Sequence, residues 1–296
     1  MEQPSSKFSH GFIRFGYYDY NEVVGYVINV VTFIIICFGL PLTLVAIYSL
    51  YSLVQKDHVA PIYVINLLIS DLIQVFCMVV WVAQPEDIDI YGYIFYVYYF
   101  FAVASVCFMV CIALERYLAI AWPLWYRFRR TIKISVVVSA VIWAVTLVYL
   151  LTYFFWVKIG AAKIISAIFF LLPLPLFIFF LGGSLKALSA SIAVPSDEKR
   201  RIVGILVLVL LNYTLLHLPS VFVSLEEHVR YNKYLMDLSL LCLRLSPLAD
   251  LFLYVFMRKG AVDKLLASMC CCRLTREENQ GQVTNEDKNN TEASSV

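Results

Sequence analysis

Seven stretches of the chain, at about 22–51, 60–83, 92–122, 131–155, 161–190, 198–224 and 234–257, are predominantly apolar and each more than twenty residues long. A helix needs roughly 20 such residues to cross the hydrocarbon core of a bilayer. Lipid offers backbone amides no partner, so each stretch must satisfy its own N–H and C=O groups, which an α-helix does. The composition agrees: 61% of the 296 residues are hydrophobic and 15% charged, against roughly 25% charged in soluble domains. The sequence therefore predicts an all-α membrane protein, a seven-transmembrane helix bundle. The seven runs leave no room for a separate soluble domain.

Lys and Arg near helix ends set orientation. They gather after the first, third and fifth runs (Lys56; Arg127, Arg129, Arg130 and Lys133; Lys186, Lys199, Arg200 and Arg201) and again in the tail at Arg258, Lys259 and Lys264. The opposite connections carry Glu86, Asp87, Asp89, Glu226, Glu227 and Asp237. Residues 1–21 are thus expected to be an extracellular N-terminus, with the C-terminus cytoplasmic and the chain multi-pass in the plasma membrane. Residues 1–21 have no apolar core of a signal peptide, so the first helix is expected to target the chain. Cys37, Cys77, Cys107, Cys111 and Cys242 lie within apolar runs, and none of the eight cysteines stands where an outside disulfide would form. The sequons at Asn212 and Asn289 fall in a predicted helix and in the tail, and read as chance.

Beyond the seventh run, Val262, Leu265, Leu266 and Met269 form an i, i+3, i+4, i+7 stripe. Residues 258–272 are accordingly predicted to form a short amphipathic eighth helix on the membrane surface. The adjoining Cys270, Cys271 and Cys272 are candidates for palmitoylation. Residues 273–296 are polar and predict a disordered cytoplasmic tail. Its hydroxyls, including Thr275, Thr284, Thr291, Ser294 and Ser295, would on phosphorylation add charge for arrestin, although the same composition would serve merely to solubilise.

The third run ends in "ERY" (115–117), a charged pair that lipid rejects and a simple anchor does not need. Further motifs follow in order along the chain: "GLPLT" (39–43), "NLLISD" (66–71), Trp143, Pro173, "HLP" (217–219) and "DLFLY" (250–254). Together they resemble the rhodopsin-like (class A) G-protein-coupled receptors over about residues 22–272. The resemblance implies that Glu115, Arg116 and Tyr117, with Asp250 and Tyr254, couple the bundle to a heterotrimeric G protein. The sequence also departs from the family, with Thr43 where Asn is usual, His217 where Trp is usual and Leu251 where Pro is usual. Pro247 supplies a kink one turn earlier. The usual outer third-helix cysteine is replaced by aromatic sequence near Tyr91, so the disulfide-tethered lid is expected to be absent. Such a mouth suits a ligand arriving from lipid, and equally a receptor that has lost ligand binding.

Resemblance places Asp71 and Asp250 together with Ser105 and Ser246, hard oxygen ligands suited to Na⁺. The alternative is that the two acids share a proton or bind waters. Arg244 lies about 15 Å below the outer surface, from ten residues at ~1.5 Å rise. It suits either an ion pair with Asp237 on the same face or the acid group of a ligand. Tyr98, Tyr99, Ala102 and His217 complete the implied ligand pocket. Tyr98 stands where amine receptors keep a carboxylate, which argues against a cationic amine. His217 reads as a neutral core histidine, with proton sensing as the competing hypothesis.

The leading reading is a receptor that passes an extracellular or membrane-derived signal, in particular an acidic lipid, to G proteins. Asp250 within "SPLADLFLYVF" looks like the branch holding nucleotide, protease-activated, proton-sensing and lysolipid receptors. Membrane lipids are expected contacts of the basic loops, "WPLWYRFRRTIK" (122–133) among them. No enzyme, nucleic-acid partner or cofactor other than the candidate Na⁺ is implied, since nucleotide loops, metal-ligand spacing and hydrolase elbows are absent. A degenerate, non-coupling receptor or heteromer partner is the first alternative. A transporter is weaker, because the chain has no repeated halves.

Overall fold

A computed structural model of the chain describes residues 22–54, 62–83, 88–129, 131–156, 171–190, 196–225 and 233–257. The amphipathic stripe, the cysteines at 270–272, the tail, the N-terminus, residues 157–170, which include the start of the fifth predicted span, and residues 226–232 lie outside the described residues. The elements are helical in the order α1 (Glu22–Ile34), a π-helical turn (Ile35–Gly39), α2 (Leu40–Val54), α3 (Ile62–Val82), α4 (Ile88–Ala121), α5 (Pro123–Arg129), α6 (Ile132–Trp156), α7 (Pro173–Ala190), α8 (Ser196–Asn212), a second π-helical turn (Tyr213–His217), α9 (Leu218–Leu225) and α10 (Lys233–Met257).

These elements make up the seven predicted spans. The first runs through α1, its π turn and α2, and the sixth through α8, its π turn and α9. The second, third, fourth, fifth and seventh are α3, α4, α6, α7 and α10. Six are long and apolar enough to cross a membrane, and the fifth contributes a shorter apolar helix, Pro173–Ser189, among the described residues.

The two π turns and α5 were not anticipated from the sequence. The second π turn has a local cause. Pro219 has no N–H to donate to the carbonyl four residues back, and a wider turn just before it absorbs the misfit while leaving the span continuous. Pro247 acts differently: α10 continues through it from Lys233 to Met257. The first π turn brings the buried Gly39 against the seventh span, where an added Cβ would lie 3.4 Å from Leu248 Cδ2. Small residues at such crossings let helices approach closely.

The third span is the axis of the bundle, packing against the second, fourth, fifth and sixth. Burial separates centre from edge: 56% of its membrane window is buried, against 17% for the fourth span. Side chains facing lipid stay apolar, as Val137, Val141 and Val148 do on the fourth span. Hydroxyls inside the bundle bond back to their own helices, Thr32 to Ile28 O at 2.7 Å and Thr146 to Ile142 O at 2.8 Å. Asn66 ties the second span to the fourth, accepting from Trp143 Nε1 at 3.0 Å. The Trp143 ring also packs on Phe100, Phe101 and Phe108 of the third span. Cys37, Cys77, Cys107, Cys111 and Cys242 are free thiols.

Candidate functional site

Three polar groups are stacked along the bundle. The first is built on Arg244. Its Nη1 donates to Thr32 Oγ1 at 2.9 Å, and its Cζ lies 5.1 Å from the centroid of the Trp81 ring, a cation–π geometry. Thr32 donates its own proton to Ile28, so its remaining lone pair is directed at the guanidinium. Trp81 is in turn packed on Tyr98, with ring centroids 4.9 Å apart. Tyr98 is buried and donates to Leu243 O at 3.0 Å, which ties the third span to the seventh beside Arg244. No carboxylate lies within ion-pair distance of Arg244 among the described residues; Asp237 is buried further along the same helix. A half-buried guanidinium held by a hydroxyl and a π face keeps donors available for an anion.

The other members of the predicted pocket separate by environment. Ala102 and Tyr98 belong to a packed cluster with Met78, Val75 and Leu243. Tyr99 is half-buried beside Val103, Tyr149 and Val221 and stacks on Phe95. His217 is buried away from Arg244: its Nε2 lies 2.7 Å from Ser246 Oγ and its ring stacks on Tyr213.

The second group surrounds Asp71 and Asp250, both fully buried and in mutual contact. Ser105 donates to Asp250 Oδ2 at 3.3 Å, and Asn212 Nδ2 donates to Asp250 Oδ1. Gln74 Nε2 donates to Asp71 Oδ1 at 3.4 Å. Asp71 Oδ2, Gln74 Oε1 and Asn212 Oδ1 are buried acceptors with no hydrogen-bond donor. Buried acceptors are costly without a partner, and this set of hard oxygens beside two carboxyls fits a small cation or ordered water. Ser246, of the predicted ligand set, has its hydroxyl 2.7 Å from His217 Nε2. Thr43, standing where the family has Asn, is also buried with no partner for its hydroxyl.

The third group is the Glu115–Arg116–Tyr117 end. Glu115 Oε1 accepts from Tyr126 at 2.6 Å, whereas Arg116 Nη2 is 3.9 Å from the same oxygen. Tyr126, on α5, is therefore the closer partner, and Arg116 Nε is buried without an acceptor. Tyr117 packs between the third and fifth spans, against Phe179 and Phe180.

Comparison with known proteins fits this arrangement. Residues 42–164 match the model of the 7 transmembrane receptor (rhodopsin family). Over those residues, under half of its length, the chain is similar to the rhodopsin family of seven-transmembrane receptors. Similar curated proteins include G-protein coupled receptor 68 of Mus musculus, 30% identical over 36% of this chain and 31% of that protein. G-protein coupled receptor 65 of Homo sapiens is 26% identical over 42% of this chain and 39% of its own length. Mas-related G-protein coupled receptor member X1 of Homo sapiens is 27% identical over 40% and 38%. The chain spans less than two-fifths of the length of these relatives.

The sequence reading missed Thr32, Gln74, Asn212 and Tyr126. Thr32 and Gln74 are polar residues inside apolar runs, a signal that was open to view. Asn212 was read only as a sequon. Tyr126 sits in a connection that was read only for its basic charge.

Proposed function

We propose that the chain is a G-protein-coupled receptor whose ligand is acidic, in particular an acidic lipid, and whose anchor for that acid is Arg244. The observation that carries this reading is the half-buried guanidinium poised on Thr32 and Trp81 with no carboxylate among the described residues to neutralise it. The absence of a carboxylate at Tyr98 supports an anion over a cationic amine. A carboxylate or phosphate meeting Arg244 would also contact the second span through Trp81 and the third through Tyr98. Differential contact of this kind shifts a bundle between two packings.

At the other end, Arg116 is the residue assigned to the Gα subunit, in a bundle oriented with its basic ends and C-terminus in the cytoplasm. Because Tyr126 occupies Glu115 Oε1, Arg116 is only loosely held, and a modest shift would release it. Between the two ends, Asp71, Asp250 and Ser105, joined by Gln74 and Asn212, would hold Na⁺, whose charge would offset the two carboxyls. Arrestin recruitment and palmitoylation are assigned to the tail and to Cys270–Cys272 on sequence alone.

The reading is tested by guanine-nucleotide exchange on added G proteins in membranes holding equal amounts of wild type and Arg116→Ala, with and without acidic lipids. Exchange by wild type that Arg116→Ala abolishes supports coupling. Arg244→Ala should weaken an acidic agonist roughly 10- to 150-fold, the loss of a charge-assisted bond of ~1.5–3 kcal/mol; unchanged potency removes Arg244 as anchor. Background exchange with every Gα class and every acidic lipid would favour the non-coupling relative that the replaced His217 and missing disulfide allow. For the ion, melting in NaCl is compared with melting in N-methylglucamine chloride at equal ionic strength. A sodium-specific gain lost in Asp71→Asn supports the site, and identical salt responses in both proteins reject it.

A further inference from the structure

At the Arg116 end, a pocket of about 260 Å³ lies between the third span, the fourth span and α5. Its walls are mostly hydrocarbon, from Leu114 and Leu118 of the third span, Trp125 of α5 and Ile134 and Val138 of the fourth. Leu114, Trp125 and Ile134 continue from the pocket onto exposed surface, at 37%, 51% and 44% of their areas. In a membrane-spanning bundle such apolar surface meets lipid, so the pocket opens toward acyl chains. The volume falls just short of the ~300 Å³ at which drug-sized clefts begin, which suits one slim hydrocarbon chain. Its polar lining is the Glu115 carboxylate with the Tyr126 hydroxyl upon it, together with Tyr63 of the second span and Thr131 and Ser135 beside the fourth. Lys133 is exposed at the start of the fourth span, between the pocket-lining Thr131 and Ile134.

We infer that this pocket holds one acyl chain of an anionic phospholipid from the leaflet bordering the Arg116 end, with the headgroup at Lys133. Apolar walls open to lipid select a chain, and the adjoining Lys133 ammonium selects the sign of the headgroup. A chain in the pocket packs against Trp125 and Tyr126, steadies α5 and so keeps Tyr126 on Glu115. The lipid composition of that leaflet would then set how loosely Arg116 is held. The inference does not depend on the identity of the ligand at Arg244 or on coupling to a G protein.

The test uses the full chain in phosphatidylcholine nanodiscs containing a minor fraction of brominated-chain phosphatidylserine or, separately, brominated-chain phosphatidylcholine. Quenching of Trp125 is read as the difference between wild type and Trp125→Phe. Phosphatidylserine is expected to quench this component several-fold more than phosphatidylcholine. Val138→Phe and, independently, Ser135→Phe, each filling the pocket from the fourth span, should abolish the preference while leaving the melting temperature near that of wild type. Lys133→Gln should reduce it about fivefold, the partition equivalent of one near-surface cation. Equal quenching by the two lipids overturns the inference, as does a phosphatidylserine preference that survives both pocket-filling variants.

Discussion

Gly183 and Gly182 are adjacent on the fifth span, and the bundle treats them oppositely. A Cβ at Gly183 would lie 2.6 Å from Tyr117 Cε2 and 3.3 Å from Cδ2, whereas one at Gly182 meets nothing within 4 Å. The Tyr117 ring cannot simply swing aside, because Phe179 and Phe180 flank it at centroid distances of 5.6 and 5.7 Å. Alanine at either position gains about 0.8–1 kcal/mol of helix propensity over glycine. At Gly183 that gain is opposed by overpacking of typically ~1–3 kcal/mol. Gly183→Ala should therefore be less stable than Gly182→Ala by about 1–3 kcal/mol, with Gly182→Ala at or above wild type. Unfolding free energies from denaturing-detergent titration in mixed micelles would measure both. A double-mutant cycle with Tyr117→Ala assigns the cause, since the penalty at Gly183 should largely vanish when the ring is gone. Equal stabilities for the two alanine variants, or a penalty that persists without the ring, would refute the steric argument.

Tyr126→Phe frees the Glu115 oxygen that Arg116 already approaches, and a charge-assisted bond of ~1.5–3 kcal/mol is lost at that point. Basal nucleotide exchange should fall as Glu115 takes up Arg116, and a rise would reverse the assigned roles of the two partners. Trp143→Phe removes the bond to Asn66 but keeps an aromatic ring among Phe100, Phe101 and Phe108. It should cost about 0.6 kcal/mol, the average for such bonds in membranes, against ~3–5 kcal/mol for Trp143→Ala; similar losses in the same titration would mean that packing is not the larger contribution. Ser246→Ala leaves buried His217 without its hydroxyl partner and should cost about 1–3 kcal/mol, whereas Ser246→Thr, which keeps a hydroxyl, should stay closer to wild type on thermal melting.

The helical spans were legible because the bilayer imposes a rule that acts on each segment alone. A run long enough to cross, with no water to satisfy its backbone, has to be a helix. The second, fourth and seventh spans accordingly end within two residues of the sequence estimate. The Glu115–Arg116 pair, the acids at 71 and 250, and Arg244 were legible for the related reason that lipid makes ionisable groups expensive. Each stood out singly against an apolar background.

What such a signal cannot carry is the partner. Arg244 was assigned either to Asp237, seven residues away on its own helix, or to a ligand. The fold supplied Thr32, which is 212 positions away, and Trp81 from the second span. Glu115 was paired with its neighbour Arg116, yet α5 brings Tyr126 nearer. Asn212 looked like a stray sequon until the sixth span set it on Asp250. In each case helix rotation and the two π turns decide which face meets which, and these depend on packing among all the spans at once. The sequence by itself determined that the chain crosses the membrane as helices and which of its residues pay for being charged there. Only the tertiary structure decided which oxygen or ring each of them meets, because those contacts join segments that no local pattern relates.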